Sequence, residues 1–209
     1  MIMIYYAIAV LFIALFYSQQ LIVIYRNLKQ HAIVQARALS EEPDKETVYP
    51  ICAVVMFLCS MLMYSLTDNV VLSVFILLLA AVAYADMAIR WIPDVLIYLL
   101  IAVSLLDVDK HNIVLRGVGC VFFIVPPLVL NLYGYLKTKT FWIASGDFYV
   151  FFALGFWIQP EYSAAIMLMA LLIGALLMRF CHSVPLVTCV FPFFIGYKLC
   201  EAYGVLLLF

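Results

Sequence analysis

The sequence predicts an all-α protein, a polytopic transmembrane helical bundle of about eight spans with its N-terminus outside. Of its 209 residues, 69% are hydrophobic and only 11% are charged, whereas charged residues make up about a quarter of a soluble domain. The hydrophobic residues fall into runs separated by short polar segments, as expected for helices that cross a bilayer. The net charge of −1 argues against nucleic acid as a partner, because such a partner requires a basic face.

Eight apolar segments account for the predicted spans, and a helix needs ~20 residues to cross the hydrocarbon layer. They cover residues 2–25, 49–66, 70–86, 95–106, 113–135, 148–159, 162–179 and 184–201. The fourth and sixth segments are short, so we expect them to include flanking residues or to be shielded by neighbouring helices. Proline lacks a backbone donor and therefore predicts bends in the fifth and eighth segments, at Pro126, Pro127, Pro185 and Pro192.

The basic residues predict the orientation of the chain. With the N-terminus outside, eight of the eleven Lys and Arg residues fall at cytoplasmic ends or loops, as the positive-inside rule requires. Basic residues follow the first segment and do not precede it, so we interpret that segment as a retained anchor. Residues 26–48 are predicted to form a cytoplasmic loop. We treat residues 1–209 as a single integral membrane domain, and two acidic residues, Asp86 and Asp147, predict a catalytic core at about 70–180.

Two acidic residues next to apolar runs are the candidate catalytic residues. Asp86 ends the third segment and Asp147 begins the sixth, so the predicted topology places both at the cytoplasmic face. A carboxylate at the edge of the hydrocarbon layer is costly and usually functional. Two carboxyls held close share one proton, so one can act as general base on a water while the other acts as general acid. Gly146 would let a substrate approach Asp147 closely, and Pro93 would end the third helix.

Spacing alone leaves other interpretations open. Asp147 and Asp94 each precede an apolar run and would serve as N-terminal helix caps. Asp86 and Arg90 stand four residues apart, which is the spacing of an ion pair on one helix. Intramembrane carboxylates also line ion pathways, so a non-enzymatic transporter is an alternative function. None of the six cysteines forms a C-x-x-C pair, so the sequence predicts no metal site.

Two motifs resemble the signatures of the type IV prepilin peptidases. The first contains Asp86, Arg90 and Ile92-Pro93-Asp94, and is similar to an Asp a few residues before Ile-Pro-Asn or Ile-Pro-Asp. The second runs from Gly146-Asp147 to Ala153-Leu154-Gly155-Phe156-Trp157, and is similar to Gly-x-Gly-Asp followed by Ala-Leu-Gly-x-Trp. The motifs occur in the family order, and the resemblance covers roughly residues 50–200.

The resemblance implies that Asp86 and Asp147 are the two catalytic aspartates. The implied supporting residues are Gly146, Asp94, Pro93 and Arg90. The family cleaves the leader peptide of type IV prepilins or prepilin-like secretion proteins after a Gly, at the cytoplasmic face of the bacterial inner membrane. The implied partners are this substrate, with its apolar N-terminal helix, and the lipid bilayer. Hydrolysis is implied to need no metal or cofactor, and S-adenosylmethionine would be used only if N-methylation of the product is retained.

Three features depart from the family pattern. Ala144 replaces the first Gly of Gly-x-Gly-Asp, and Tyr149 occupies the place of a frequent Lys. Residues 26–48 lack the four-cysteine zinc-binding insertion of many bifunctional members, so the chain resembles a short member whose methyltransferase activity is not implied. The nearer alternative is a preflagellin peptidase or a presenilin-like protease. A Tyr-Asp pair would favour the presenilin type, and here Ala85 precedes Asp86.

Overall fold

Eight helices form the part of the chain that the computed structural model describes, namely residues 2–35, 48–106, 113–179 and 184–204. In chain order they are α1 (Ile2–Gln35), α2 (Pro50–Thr67), α3 (Val70–Ile89), α4 (Asp94–Leu106), α5 (Ile113–Thr138), α6 (Ser145–Gly155), α7 (Pro160–Leu177) and α8 (Leu186–Ala202). No strand occurs within these ranges. The prediction of an all-α bundle is confirmed, and each predicted apolar segment corresponds to one helix.

Five of the described helices are long and apolar enough to cross a membrane. They are α1, through residues Ile4–Asn27, and α2, α3, α5 and α7. Helix α4 is also apolar but has 13 residues, and α6 has only 11. At about 1.5 Å per residue neither reaches across the hydrocarbon layer. The chain is therefore a multi-pass membrane protein in which short helices lie beside longer ones, while the placement of the N-terminus outside stays a prediction.

Helix α1 is longer than the sequence predicted. It continues through residues 26–35, which were expected to belong to the cytoplasmic loop. Strong helix formers such as Arg, Leu, Lys, Gln and Ala fill this stretch, and no Gly or Pro interrupts it. The helix therefore extends past its apolar part. Residues 36–47 of the predicted loop lie outside the described residues.

One predicted proline bend was wrong. Pro185 is the N-cap residue of α8 and stands before the helix, where its missing N–H leaves no intrahelical bond unmade. Pro192 lies inside α8, and Pro126 and Pro127 lie inside α5. These three are at positions where a helix must give up backbone hydrogen bonds.

Helix α3 is the most enclosed of the five long helices. In its apolar stretch 67% of the residues are buried, against 22% in each of the other four. Four alanines between Ala80 and Ala85 contribute to this, because small side chains let neighbouring helices approach closely. The Asn69 side chain accepts a hydrogen bond from the Leu72 N–H at 3.0 Å and so caps the start of the helix. Asp86 lies one turn before the other end.

Close backbone packing positions α6 against α5. A Cβ added at Gly119 of α5 would lie 2.5 Å from the Ile158 carbonyl oxygen, and one added at Gly155 of α6 would overlap the Cα of Cys120. The Cys120 thiol also donates to the Phe152 carbonyl at 3.4 Å. Helix α4 packs against both α3 and α6, so it holds the end of α3 and the start of α6 at the same end of the bundle.

Candidate active site

Asp86 is a buried carboxylate that accepts hydrogen bonds from another helix. Only 7% of the residue is exposed. Its Oδ2 accepts the backbone N–H of Thr188 at 3.1 Å, and the Val187 backbone also donates to this carboxylate. Both donors belong to the first turn of α8, which packs directly against α3. Helix α8 therefore contributes to the site although the sequence motifs lie elsewhere.

Asp147 lies in the first turn of the short helix α6, half-buried and close enough to Asp86 for the two charges to interact. Burial raises the pKa of the Asp147 carboxyl to about 7, and the negative charge of Asp86 acts in the same direction. The capping interpretation of Asp147 was wrong, because the N-cap residue is Ala144 and no side chain forms the cap. Asp147 is thus a carboxyl poised to hold a proton near neutral pH.

The two aspartates line one cavity of about 590 Å³. Five of the six residues predicted for the site contribute to its wall: Asp86, Asp147, Gly146, Asp94 and Arg90. The sixth, Pro93, does not line the cavity, and its carbonyl accepts the N–H of Leu96 at 2.9 Å in the first turn of α4. The aromatic side chains of Trp91, Tyr98, Trp142 and Tyr149 also line it. A segment of polypeptide would therefore meet carboxyls and aromatic rings together.

The turn after Asp86 has an unusual backbone. Arg90 is the C-cap of α3 and has a φ of 55°, a left-handed conformation that usually favours glycine. Its N–H donates to the Asp86 carbonyl at 3.2 Å. Strain of this kind tends to concentrate at functional sites. The left-handed conformation of Arg90 turns the chain within a few residues, so α4 begins close to the Asp86 carboxylate near the end of α3.

An asparagine inside α5 holds the loop that leads to Asp147. The Asn131 Oδ1 accepts the backbone N–H of Trp142 at 2.7 Å and that of Ile143 at 3.0 Å. Its Nδ2 donates to the Ile143 carbonyl at 3.3 Å. Asn131 is 9% exposed, so these bonds satisfy an amide that would otherwise be costly to bury. The amide therefore fixes the approach to α6.

The residues beside Asp147 adopt ordinary backbone conformations. Gly146 has no left-handed φ, and a Cβ there would meet only Ile97 Cδ1 at 3.9 Å. Ala144 has φ −66° and ψ 145°, which any residue adopts. Glycine at 146 therefore leaves room on the cavity side, whereas the backbone at 144 accommodates alanine without strain.

The opposite end of the bundle holds a different kind of cavity. It has a volume of about 540 Å³ and is lined by Leu72, Arg116, Trp157, Lys198 and Glu201, among others. Leu72 and Asp86 lie fourteen residues apart on α3, which corresponds to about 21 Å along a helix. Among the described residues that line it, Glu201 is the only carboxylate, so those residues form no carboxyl pair there, in contrast to the cavity of Asp86 and Asp147.

A family model described as the type IV leader peptidase family matches residues 73–179, just over half of the chain. The chain belongs to the type IV leader peptidase family. The match includes both aspartates and most of α3 to α7, and this leader peptidase is accordingly a protease. No curated protein and no solved structure matched the chain in the corresponding comparisons.

Two contacts of this leader peptidase could not be found from the motifs. Thr188 contacts Asp86 across 102 positions of sequence, and nothing in its local sequence signals this. Asn131 gave a weak signal, because it is a lone amide in an apolar segment, and buried amides need partners. The partner loop, however, is recognisable only in three dimensions.

Proposed function

We propose that the chain is an aspartic endopeptidase that removes the leader peptide from type IV prepilins or prepilin-like secretion proteins. Cleavage follows a Gly, at the cytoplasmic face of a bacterial inner membrane. The observation that carries the proposal is that Asp86 and Asp147, delivered by different helices, line one cavity at one end of the bundle. Membership of the type IV leader peptidase family supports a peptidase over a transporter.

The chemistry follows from two carboxyls that share one proton. The ionised carboxylate takes a proton from a water, and the oxygen of that water bonds to the scissile carbonyl carbon. The protonated carboxyl gives its proton to the carbonyl oxygen, which forms a neutral tetrahedral diol. Collapse of the diol breaks the C–N bond, with a proton passing to the leaving nitrogen. One water is consumed, one acid and one amine are produced, and we propose that no metal or cofactor takes part.

The bilayer supplies the register of the cut in this proposal. The apolar helix of the substrate stays among the lipid-facing helices while its polar leader extends into the cavity. Asp86 lies only one turn from the end of a membrane-crossing helix, so the reaction takes place near the edge of the hydrocarbon layer. A bond at that depth is the junction between leader and apolar helix.

The test is cleavage of candidate prepilins by the solubilised protein. We expect Asp86→Asn and Asp147→Asn each to abolish cleavage, because an amide can neither take nor give the required proton. Asp68→Asn is the matched control, since Asp68 is an exposed residue at the C-cap of α2 and asparagine tolerates its left-handed backbone. Mass spectrometry of the new N-terminus reports the cleavage site and any methyl group together. Cleavage by either cavity variant at the wild-type rate would overturn the proposal.

A further inference from the structure

The first turn of α8 is directed at the Asp86 carboxylate. The first N–H groups of any helix lack carbonyl partners within the helix, and Pro185 provides no side-chain cap for α8. Asp86 fills this role from α3, because its Oδ2 lies 3.1 Å from the Thr188 nitrogen and the Val187 backbone also donates to it. A catalytic candidate on one helix thus caps another.

The Thr188 hydroxyl holds this arrangement together. Its Oγ1 donates to the Ala83 carbonyl at 2.7 Å and lies 3.5 Å from the Asp86 Oδ2. A hydroxyl has one hydrogen, and the shorter distance shows that Ala83 receives it. Ala83 lies on α3 one turn before Asp86. The side chain therefore fixes α8 on α3 while the backbone N–H of the same residue points at the carboxylate.

The two aspartates consequently have different surroundings. Backbone N–H groups and a helix N-terminus stabilise a carboxylate anion over the neutral acid. Asp86 receives such donors, whereas no hydrogen bond to the Asp147 carboxyl is found among the described residues. Among the described residues, the other ionisable groups lining the cavity are Arg90, Asp94, Tyr98 and Tyr149, and Cys189 follows Thr188 on α8. All of these remain the same when only Thr188 is changed.

We propose that Thr188 is a positioning residue that holds the start of α8 against Asp86, so that Asp86 is the ionised member of the pair and Asp147 carries the shared proton. The inference rests on the proposed peptidase function. Asp86 then takes the proton from the attacking water, and Asp147 gives its proton to the scissile carbonyl oxygen. The roles of the two carboxyls are thus set by a helix beyond the family match, which ends at residue 179.

Thr188→Val tests the hydroxyl, because valine has nearly the same shape and leaves the backbone N–H in place. We expect kcat to fall about tenfold with KM within about twofold, since the substrate still binds while the carboxylate is less well held. The acid limb of the pH profile of kcat/KM should move up by about 0.5 to 1 pH unit, because the Asp86 anion is less stabilised. Thr188→Ser keeps the hydroxyl and should restore both values.

Thr67→Val is the control for loss of a half-buried threonine hydroxyl. The Thr67 Oγ1 donates to the Met63 carbonyl at 2.8 Å, at the other end of the bundle, so this variant should leave the pH profile unchanged. If Thr188→Val does not accumulate, Thr188→Ala decides by the same readouts. An unmoved acid limb in the variant without the hydroxyl, or a serine variant as impaired as the valine variant, would overturn the inference.

Infrared titration separates this inference from the proposed function, because it requires no substrate. In a titration from about pH 5 to pH 8, the C=O stretch that persists to the higher pH should be absent in Asp147→Asn and present in Asp86→Asn. The opposite pattern would assign the proton to Asp86 and overturn the inference even if cleavage proceeds. If the protein shows the expected infrared pattern but cleaves no prepilin, the proposed substrate would be rejected and the assignment of the proton to Asp147 would stand.

Discussion

Substitution of Gly119 by alanine tests whether backbone contact between α5 and the α6–α7 turn limits stability. An added Cβ would lie 2.5 Å from the Ile158 carbonyl oxygen, whereas ordinary contacts begin at 3.4 Å. The backbone must therefore move by about 0.9 Å, the difference between these two distances. Ile158 is 2% exposed, so it has little free space in which to retreat. Overpacking of this kind costs about 1 to 3 kcal/mol.

Gly117→Ala is the matched control. Gly117 lies on the same helix two residues earlier, and a Cβ there meets nothing within 4 Å. Both variants gain the same helix propensity, about 0.5 to 1 kcal/mol, so this contribution cancels when they are compared. The difference in unfolding free energy should then be the steric cost alone, which corresponds to a melting temperature about 2 to 12 °C lower for Gly119→Ala.

The measurement is thermal unfolding of both variants in the same detergent, followed by tryptophan fluorescence. Trp157 lies beside the perturbed contact and is 6% exposed, so its emission reports loss of packing there. The cavity of the aspartates lies at the other end of the bundle, so the folded fraction of Gly119→Ala should cleave substrate normally. A Gly119→Ala protein as stable as Gly117→Ala would show that α5 and the turn are not packed as described.

Three further predictions concern the site itself. Burial and the charge of Asp86 raise the pKa of Asp147 to about 7, so Asp147 loses its proton above that pH. Cleavage should therefore decline as pH rises through about 7. A constant cleavage rate across that range would contradict a role of Asp147 as the acid. Gly146→Ala should have an unchanged melting temperature, because the added Cβ would meet only Ile97 Cδ1 at 3.9 Å. The variant should lower kcat/KM about tenfold, because the added methyl group occupies space on the substrate side of the cavity. Cleavage equal to that of the wild type would place the substrate elsewhere. Asn131→Ala removes three hydrogen bonds and should lower both stability, by about 1.5 to 4.5 kcal/mol, and cleavage. Asn131→Asp keeps the acceptor for both N–H groups and should be milder in a chemical unfolding titration; equal loss in the two variants would argue against the anchoring role of the amide.

The helices could be predicted from the sequence because an apolar run of about 20 residues has few alternatives to a membrane helix. Apart from the end of α1, the helix boundaries predicted from the apolar segments agree with the observed boundaries within a few residues. The error at α1 has a physical reason: helix propensity continues where the continuous apolar run ends, and residues 26–35 mix polar and apolar side chains but are helical. Hydropathy predicts the part of a helix in lipid and not its whole length.

The candidate site was predictable only in part, for reasons of distance along the chain. Asp86 and Asp147 could be identified from the sequence because a carboxylate next to an apolar run is costly to place in a membrane and is usually functional. Thr188 and Asn131 do not, because threonine and asparagine are common and their role depends on which backbone groups they reach. The contact between Thr188 and Asp86 spans 102 positions, and only the packing of α8 on α3 creates it.

The two departures from the family pattern beside Asp147, Ala144 and Tyr149, have different structural consequences. Alanine at 144 adopts φ −66° and ψ 145°, so a glycine is not needed there for the chain to turn into α6. Tyr149 is exposed and lines the cavity, so the absence of a lysine removes a positive charge from the wall that faces a substrate. The consequence of the first departure is therefore small for folding, whereas the second changes the charge of the cavity. Tyr149→Lys should alter KM for charged leader peptides and leave the melting temperature unchanged, and an unchanged KM would show that this wall does not contact the leader.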